Sequence, residues 1–366
     1  MACSNICPKG AITKSTDSTM KLVPHIDETK CVNCEACRNV CPALGKPEYN
    51  KSYKCYAAYN ISGADLEKSS SAGVSHALCT YVIENGGVVF GASYSNGRLI
   101  HTSGRNIEDI QAFRGSKYVQ SDIGFSYREV KDELKKGSLV LFTGTPCQIA
   151  GLCSFLGRDY PNLITADLIC HGVPSEKLLD DYLSDCGVTD RQSISFRQGN
   201  EYNLTVYGKD GSVKFKRNAA FDPYYRAFYN NIILRDNCFE CPYANAHNRP
   251  ADISIGDFWK IDKSSLKEKA EGKISLVLIN TQKGEEFWSK LDVNCEERSL
   301  DEAISGNAQL RAPSVKGADA DKFYQNYSKG FLYAVNKTCV KKNIRQNKIG
   351  QFKENIKAII KKGLKL

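Results

Sequence analysis

The chain has 366 residues, 42% of them hydrophobic, enough to bury one large core and a small one. Its formal charge of +9 sits at one end, because Lys337–Leu366 carries ten basic residues against one acid, Glu354, and the rest of the chain balances. Such a body lacks the basic surface that phosphate backbones require, which argues against nucleic acid as a partner.

The first element along the chain is a repeat. Ala2-Cys3-Ser4-Asn5-Ile6-Cys7-Pro8 recurs as Ala36-Cys37-Arg38-Asn39-Val40-Cys41-Pro42, and the second copy is preceded by Cys31 and Cys34. The resulting Cys-x2-Cys-x2-Cys-x3-Cys-Pro run is the cluster-binding run of bacterial two-cluster ferredoxins, in which the Cys before Pro crosses to the other cluster. That crossing assigns Cys31, Cys34, Cys37 and Cys7 to one complete 4Fe-4S site, and Cys3 and Cys41 to a second, incomplete one. In the repeat register the missing pair would lie upstream of Met1. Either the start is one motif late or the second site is incomplete; the retention of Cys3 and Cys41 favours the first. A four-cysteine zinc site is the competing reading. Sixteen cysteines, no signal-like opening segment and no apolar run of about 18 residues predict reduced thiols in a cytoplasmic protein.

After a polar stretch around Lys51–Ser71, the pattern becomes that of an α/β (α+β) domain. A helix is predicted over Val74–Glu84, a buried strand over Gly86–Ala92, a helix over about Ser126–Lys136 and a strand over Leu139–Phe142. The Thr143–Cys147 loop follows, then a helix beginning near Ile149, which together form a plausible anion or cofactor cradle. A strand over Leu163–Ile169 runs into Cys170-His171-Gly172-Val173-Pro174-Ser175, with Ser175 as N-cap of a helix over Glu176–Asp185. Ser193–Arg197 and Leu204–Phe215, the latter split at Asp210-Gly211, read as hairpin strands. Cys238-x2-Cys241-Pro242 is followed by a strand near Asp252–Trp259 and another over Ile274–Ile279. The remaining cysteines, Cys55, Cys79, Cys153, Cys186, Cys295 and Cys339, have no paired spacing and read as small apolar residues. At the end, Ile349, Phe352, Ile356, Ile359, Ile360 and Leu364 recur among lysines as a basic amphipathic helix, suited to a peripheral membrane surface, to an acidic partner, or to packing on its own domain.

Cys147 and Cys170 each follow an apolar strand. With those strands side by side, both thiols emerge at one sheet edge, where Cys238 and Cys241 can complete a 4Fe-4S site. Zinc on Cys238/Cys241, or a redox role for Cys147, are the alternatives.

Four segments, Gly115–Ser121, Phe142–Gln148, Asp167–Ser175 and Ala251–Trp259, resemble the beta subunit of coenzyme F420-reducing hydrogenases and dehydrogenases, over nearly the whole chain to about Ala312. The resemblance implies a main domain holding FAD beside a 4Fe-4S cluster, with an N-terminal ferredoxin domain. It marks Ser70, Ser71, Gly73, Lys117, Tyr118, Gln120, Ser121, Gly144 and Thr145 as flavin candidates, although Lys260 stands where glycine is common and Ser71-Ala72-Gly73 replaces Ser-Gly-Gly. His171 is the candidate catalytic residue, as a proton donor or, more plainly, as a hydrogen bonder at a helix start. The expected division is a ferredoxin-like domain over 1–50, a flavin and iron–sulfur domain over 51–336, and a basic tail over 337–366. The expected activity is an oxidoreductase relaying electrons between a ferredoxin-type partner and a small-molecule substrate or deazaflavin coenzyme. The alternative is an electron-transfer subunit serving a separate catalytic partner.

Overall fold

The structure is a computed structural model that describes residues 1–17, 20, 22–45, 49–61, 68–270 and 272–363. Leu364, the last residue of the apolar series in the tail, lies outside them.

The N-terminal module has a two-stranded antiparallel sheet, β1 (Ile12–Thr16) and β2 (Leu22–Ile26), with short helices at Ala2–Ile6, Ala36–Asn39 and Pro42–Gly45. It is docked rather than tethered. The Arg128 guanidinium donates to the carbonyls of Asn5 (2.6 Å), Cys7 (3.1 Å) and Ser4 (3.2 Å), the last three residues short of Cys7. The Asn5 amide donates to the Gly124 carbonyl at 2.9 Å, Lys14 pairs with Asp122, and Ala2 and Val40 join the core around Val140, Phe142 and Ile149.

The main domain is built on a mixed sheet of β3 (Lys54–Ala58), β4 (Val88–Ser95), β5 (Arg98–Gly104), β6 (Val140–Gly144), β7 (Leu163–Leu168), β11 (Ile253–Asp257), β12 (Ser275–Ile279) and β13 (Cys295–Arg298). Their order across the sheet is β13-β3-β12-β11-β7-β6-β4-β5, with β4, β6, β7 and β11 parallel in the middle. The strands alternate faces. Val89, Leu141, Ile164 and Ile253 face the helix Val74–Glu84 and the Phe287-Trp288 pair, while Val88, Phe90, Val140, Phe142 and Leu163 face the helices Ser126–Lys135 and Pro146–Leu156. Each fully buried side chain of this kind contributes about 1.5–3 kcal/mol, and strands apolar on both faces are what a helix-covered parallel sheet requires.

The strands β8 (Ser193–Ser195), β9 (Asn203–Tyr207) and β10 (Val213–Asn218) form a separate antiparallel sheet. An aromatic core of Tyr182, Tyr224, Tyr225, Phe228 and Phe331 packs beside it.

Three expectations need correction. The stretch read as polar contains β3, a strand inside the main sheet whose Ala57 and Ala58 are wholly buried; Lys54-Cys55-Tyr56-Ala57-Ala58 has no β-branched residue to announce it. The helix expected from Ile149 begins at Pro146, because Pro fits the first helical position and Thr145 with Gln148 forms a capping box. Cys147 is therefore in a helical turn, not on a loop. The third is β5, unforeseen although Asn96-Gly97, both at positive φ (48° and 75°), is the turn pair that joins it to β4.

Candidate functional site

Parallel strands deliver whatever follows them to the same edge of a sheet, where α/β proteins place their ligands. Gly144 of β6 pairs with Asp167 of β7, so Thr145–Cys147 and Ile169–Cys170 leave the sheet side by side. Cys147 is oriented by the capping box: the Thr145 amide donates to Gln148 Oε1 at 2.9 Å, and Thr145 Oγ1 lies 3.2 Å from Cys147 Sγ.

Cys238 and Cys241 come from a distant part of the chain, on the helix Asp236–Phe239 and the turn after it. Their segment is tied to the Cys170 loop at two points. The Arg235 amide donates to the Val173 carbonyl at 3.2 Å, and Gly172, at φ 123°, leaves room that a Cβ would close, 2.8 Å from Leu234 and 3.2 Å from Cys238 Cβ. Arg249, 1% exposed, binds the Tyr243 carbonyl (2.7 Å), the Leu168 carbonyl (3.1 Å), Ser254 Oγ (2.9 Å) and the buried Asp167 carboxylate. One guanidinium thus joins the segment after Cys241 to the strand before Cys170.

The four thiols are within electrostatic range of one another. Burial pushes Cys170 and Cys238 up, and Cys241 up to about 11, so without a metal all three favour the neutral thiol. Among the described residues no three His, Cys, Asp or Glu side chains close around a single ion. A 4Fe-4S cube, in which each thiolate takes its own iron, suits a wider arrangement.

In front of Cys147 and Cys170 opens a cavity of about 730 Å³, walled by both cysteines. All the flavin candidates from the sequence, Ser70, Ser71, Gly73, Lys117, Tyr118, Gln120, Ser121, Gly144 and Thr145, line it, as does His171.

One end of this cavity is built for an anion. The helix Val74–Glu84 starts there with Gly73 (φ 98°) as N-cap and no side-chain cap, leaving the first N–H groups facing the cavity. Ser70 Oγ accepts from the Ser116 amide at 2.6 Å, and Arg114 donates to Ser69 Oγ at 3.0 Å, which clamps the serine loop to the Gly115–Lys117 loop. Lys117 is half-buried; its ammonium donates to the carbonyls of Ala112 (3.2 Å), Phe113 (2.9 Å) and Arg114 (2.8 Å), and desolvation pulls its pKa down to about 7. Among the described lining residues the one carboxylate, Asp257, is bonded to Arg197 at 2.6 Å, leaving this end positive.

The middle wall is a buried polar chain. His101 Nε2 meets the Thr143 carbonyl at 3.0 Å, His101 Nδ1 meets Ser121 Oγ at 3.0 Å, and Ser121 Oγ accepts from Gln148 Nε2 at 3.0 Å. Burial lowers the His101 pKa to about 4 and keeps the ring neutral. Gln120 Oε1 is buried with no partner, an acceptor available to a ligand.

His171 packs edge-on against Phe228, with ring centroids 5.0 Å apart, and Asn231 lies beside its ring. The helix-start role falls to Ser175, whose hydroxyl caps Leu178. Burial lowers the His171 pKa and favours the neutral ring.

Between the module and this site, Cys3 and Cys41 are electrostatic neighbours, and Tyr243 is within range of Cys41, Cys147 and Cys241 alike. Cys31, Cys34 and Cys37 lie on the outer side, with Cys34 exposed, along a loop shaped by left-handed Asn33 and Glu35 (φ 53° and 57°). Lys260 is also left-handed, at φ 62°, which accounts for glycine suiting that position.

Sequence reading missed His101, Arg114, Arg197, Asp257 and Trp259 as cavity residues. Only His101 had a signal, through the Asn-Gly turn that sets its strand.

Residues 137–302 match the family model that describes the C-terminal part of the beta subunit of coenzyme F420 hydrogenase/dehydrogenase, and residues 1–44 match that of a 4Fe-4S dicluster domain. No curated protein matches the chain. A solved chain of the F420-reducing NiFe hydrogenase complex from Methanosarcina barkeri, studied by xenon derivatization, is similar at 21% identity over 83% of this chain and 92% of that one, with a TM-score of 0.46.

Proposed function

We propose, because residues 137–302 match the family model of the coenzyme F420 hydrogenase/dehydrogenase beta subunit and residues 1–44 match that of a 4Fe-4S dicluster domain, that this chain is an iron–sulfur flavoprotein oxidoreductase. In this reading Cys147, Cys170, Cys238 and Cys241 hold a 4Fe-4S cluster and the cavity holds FAD. Electrons from a low-potential, ferredoxin-type donor enter at the Cys7, Cys31, Cys34 and Cys37 site and leave to an organic substrate or deazaflavin coenzyme. The parts follow the proposed division of the chain, a ferredoxin-like unit over 1–50, the flavin and iron–sulfur unit over 51–336 and the tail beyond.

The observation that carries the proposal is the cavity itself, which joins an uncapped helix start and a cationic serine loop at one end to two cluster cysteines in its wall. Its volume falls in the range of about 300–1,000 Å³ usual for cofactor sites. A bound flavin supplies the conversion between one-electron and two-electron chemistry that a cluster cannot perform alone.

The chain's own residues have definite tasks in this scheme. Gly73, Ser70 and Ser71 would hold the phosphates, with Lys117, donating to the carbonyls beside them, supplying positive charge nearby. Gln120 Oε1 accepts from a ring N–H, and Tyr118, stacked on Phe228 with centroids 5.1 Å apart, presents a fixed apolar wall. His101, neutral and doubly bonded, holds Ser121 and the Thr143–Thr145 turn in place. His171 takes or returns a proton on the substrate side.

An electron-transfer subunit serving a separate catalytic partner is the second reading. It is favoured by the large apolar side chains around the cavity, Leu168 (44% exposed), Tyr229 (41%) and Trp259 (51%), which a partner would cover.

The test is anaerobic purification of the full chain, followed by chromatography of the released cofactor and a visible spectrum. FAD close to one per chain is expected. A chain that neither carries nor takes up FAD after cluster reconstitution rules the flavin reading out, and a stable co-purifying catalytic subunit favours the second reading.

A further inference from the structure

The C-terminal helix, Cys339–Gly363, carries apolar residues on two different sides along its length. At its start it belongs to the domain: Val340 is fully buried, Ile344 packs against the aromatic core, and the Asn347 amide donates to the Ala220 carbonyl at 2.7 Å. At about 100° per residue, Val340, Ile344 and Asn347 fall on one stripe. Ile349 and Phe352 fall on the other side of the same helix, and there they are 48% and 66% exposed. The sequence continues that outer series with Ile356, Ile359 and Ile360.

This arrangement bears on what covers the outer stripe. A continuous helix cannot turn a second face toward the domain that already holds its first. Ile349 and Phe352 are therefore left for something other than this chain's own body.

Charge identifies the occupant. The segment from Lys337 onward carries the whole +9 of the protein, and Lys341, Lys342, Arg345, Lys348 and Lys353 are exposed around the helix. An anionic bilayer offers a diffuse negative surface for lysines on all sides of the stripe and an apolar layer for the stripe itself. An acidic protein would need a groove matching both. No helix among the described residues is long and apolar enough to cross a membrane, and the geometry is that of a helix lying in the interface plane.

We infer that residues 348–363 adsorb to anionic membrane surfaces, holding the oxidoreductase as a peripheral protein. This stands on the tail alone and does not depend on the flavin reading.

The experiment is sedimentation of the full, cluster-loaded chain with vesicles of phosphatidylcholine alone or with added phosphatidylglycerol, at low and high salt. The anionic vesicles are expected to carry the chain down, neutral ones to leave it in solution, and high salt to weaken binding roughly ten-fold or more. Ile349→Asp with Phe352→Asp, which alters exposed positions outside the body contacts, should reduce binding roughly ten-fold or more while leaving the unfolding midpoint and iron content unchanged. A chain ending at Asn347 should likewise stay in solution. Absence of sedimentation with anionic vesicles at low salt overturns the inference, as does equal binding to neutral vesicles or undiminished binding by the double variant. Binding to polyglutamate that survives the double variant, without vesicle binding, would assign the tail to an acidic protein instead.

Discussion

The two cysteine sites proposed to hold iron–sulfur clusters in this chain are assembled on opposite plans. In the N-terminal module Cys31, Cys34 and Cys37 lie within seven consecutive residues, on a loop and the first turn of the helix after it. In the main domain Cys147, Cys170 and the Cys238/Cys241 pair come from three separated segments and meet only because β6 and β7 are neighbours and Arg249 joins the third segment to them. A mostly local site needs its short segment and Cys7, whereas a dispersed one inherits the stability of the fold around it.

The sharpest way to break the contrast is Arg249→Met. Removing one partner of a buried ion pair leaves Asp167 uncompensated and costs about 3–5 kcal/mol. Urea unfolding should show that loss together with loss of the main-domain iron, while the iron of the N-terminal module is retained under native conditions. Equal loss from both regions would mean that the two sites do not differ in kind.

A smaller effect separates the cavity's anion-binding end from the clusters. Lys117, whose pKa is drawn from its ordinary 10.5 to about 7 by burial, is charged below that value and neutral above it. Affinity of the apo-flavin protein for FAD should therefore fall as pH rises through about 7, by roughly ten-fold for one lost charge-assisted contact. In Lys117→Met this dependence should vanish. In the ligand-free chain the sign is opposite: the unfolded state binds the proton more tightly, so Lys117 makes stability rise with pH between about 7 and 10.5. Titration calorimetry with FAD at several pH values checks the first statement, and unfolding over the same range the second.

Docking of the module can be disturbed without altering a cysteine of either site. Arg128→Ala removes the donor to the Ser4, Asn5 and Cys7 carbonyls, at about 1.5–3 kcal/mol for charged hydrogen bonds. Faster proteolytic release of residues 1–50 is expected, with the iron content of both regions unchanged on the undigested chain.

The same contrast explains what could be read in advance. The module was legible because its ligands repeat at fixed local spacing, and the helices Val74–Glu84 and Glu176–Asp185 were legible through their apolar period and, for the second, the Ser175 cap. The common edge of Cys147 and Cys170 was legible as a conditional, dependent on β6 and β7 being adjacent. The placement of β3 between β12 and β13 was not, since long-range pairing leaves no mark within five residues. Nor was the gathering of Arg197, Asp257 and His101 around one cavity, because each is an ordinary polar residue until the strands carrying it converge.

If dispersed thiols hold one buried cluster, two cysteines on a single helix must behave differently. Cys147 and Cys153 both lie in Pro146–Leu156, but only Cys147 faces the cavity. Iron per chain, measured on anaerobically reconstituted full-length Cys147→Ser and Cys153→Ser, should drop by the content of one 4Fe-4S cluster in the first and stay at the unsubstituted level in the second. Unchanged iron in Cys147→Ser, or the same loss in Cys153→Ser, would contradict the assignment.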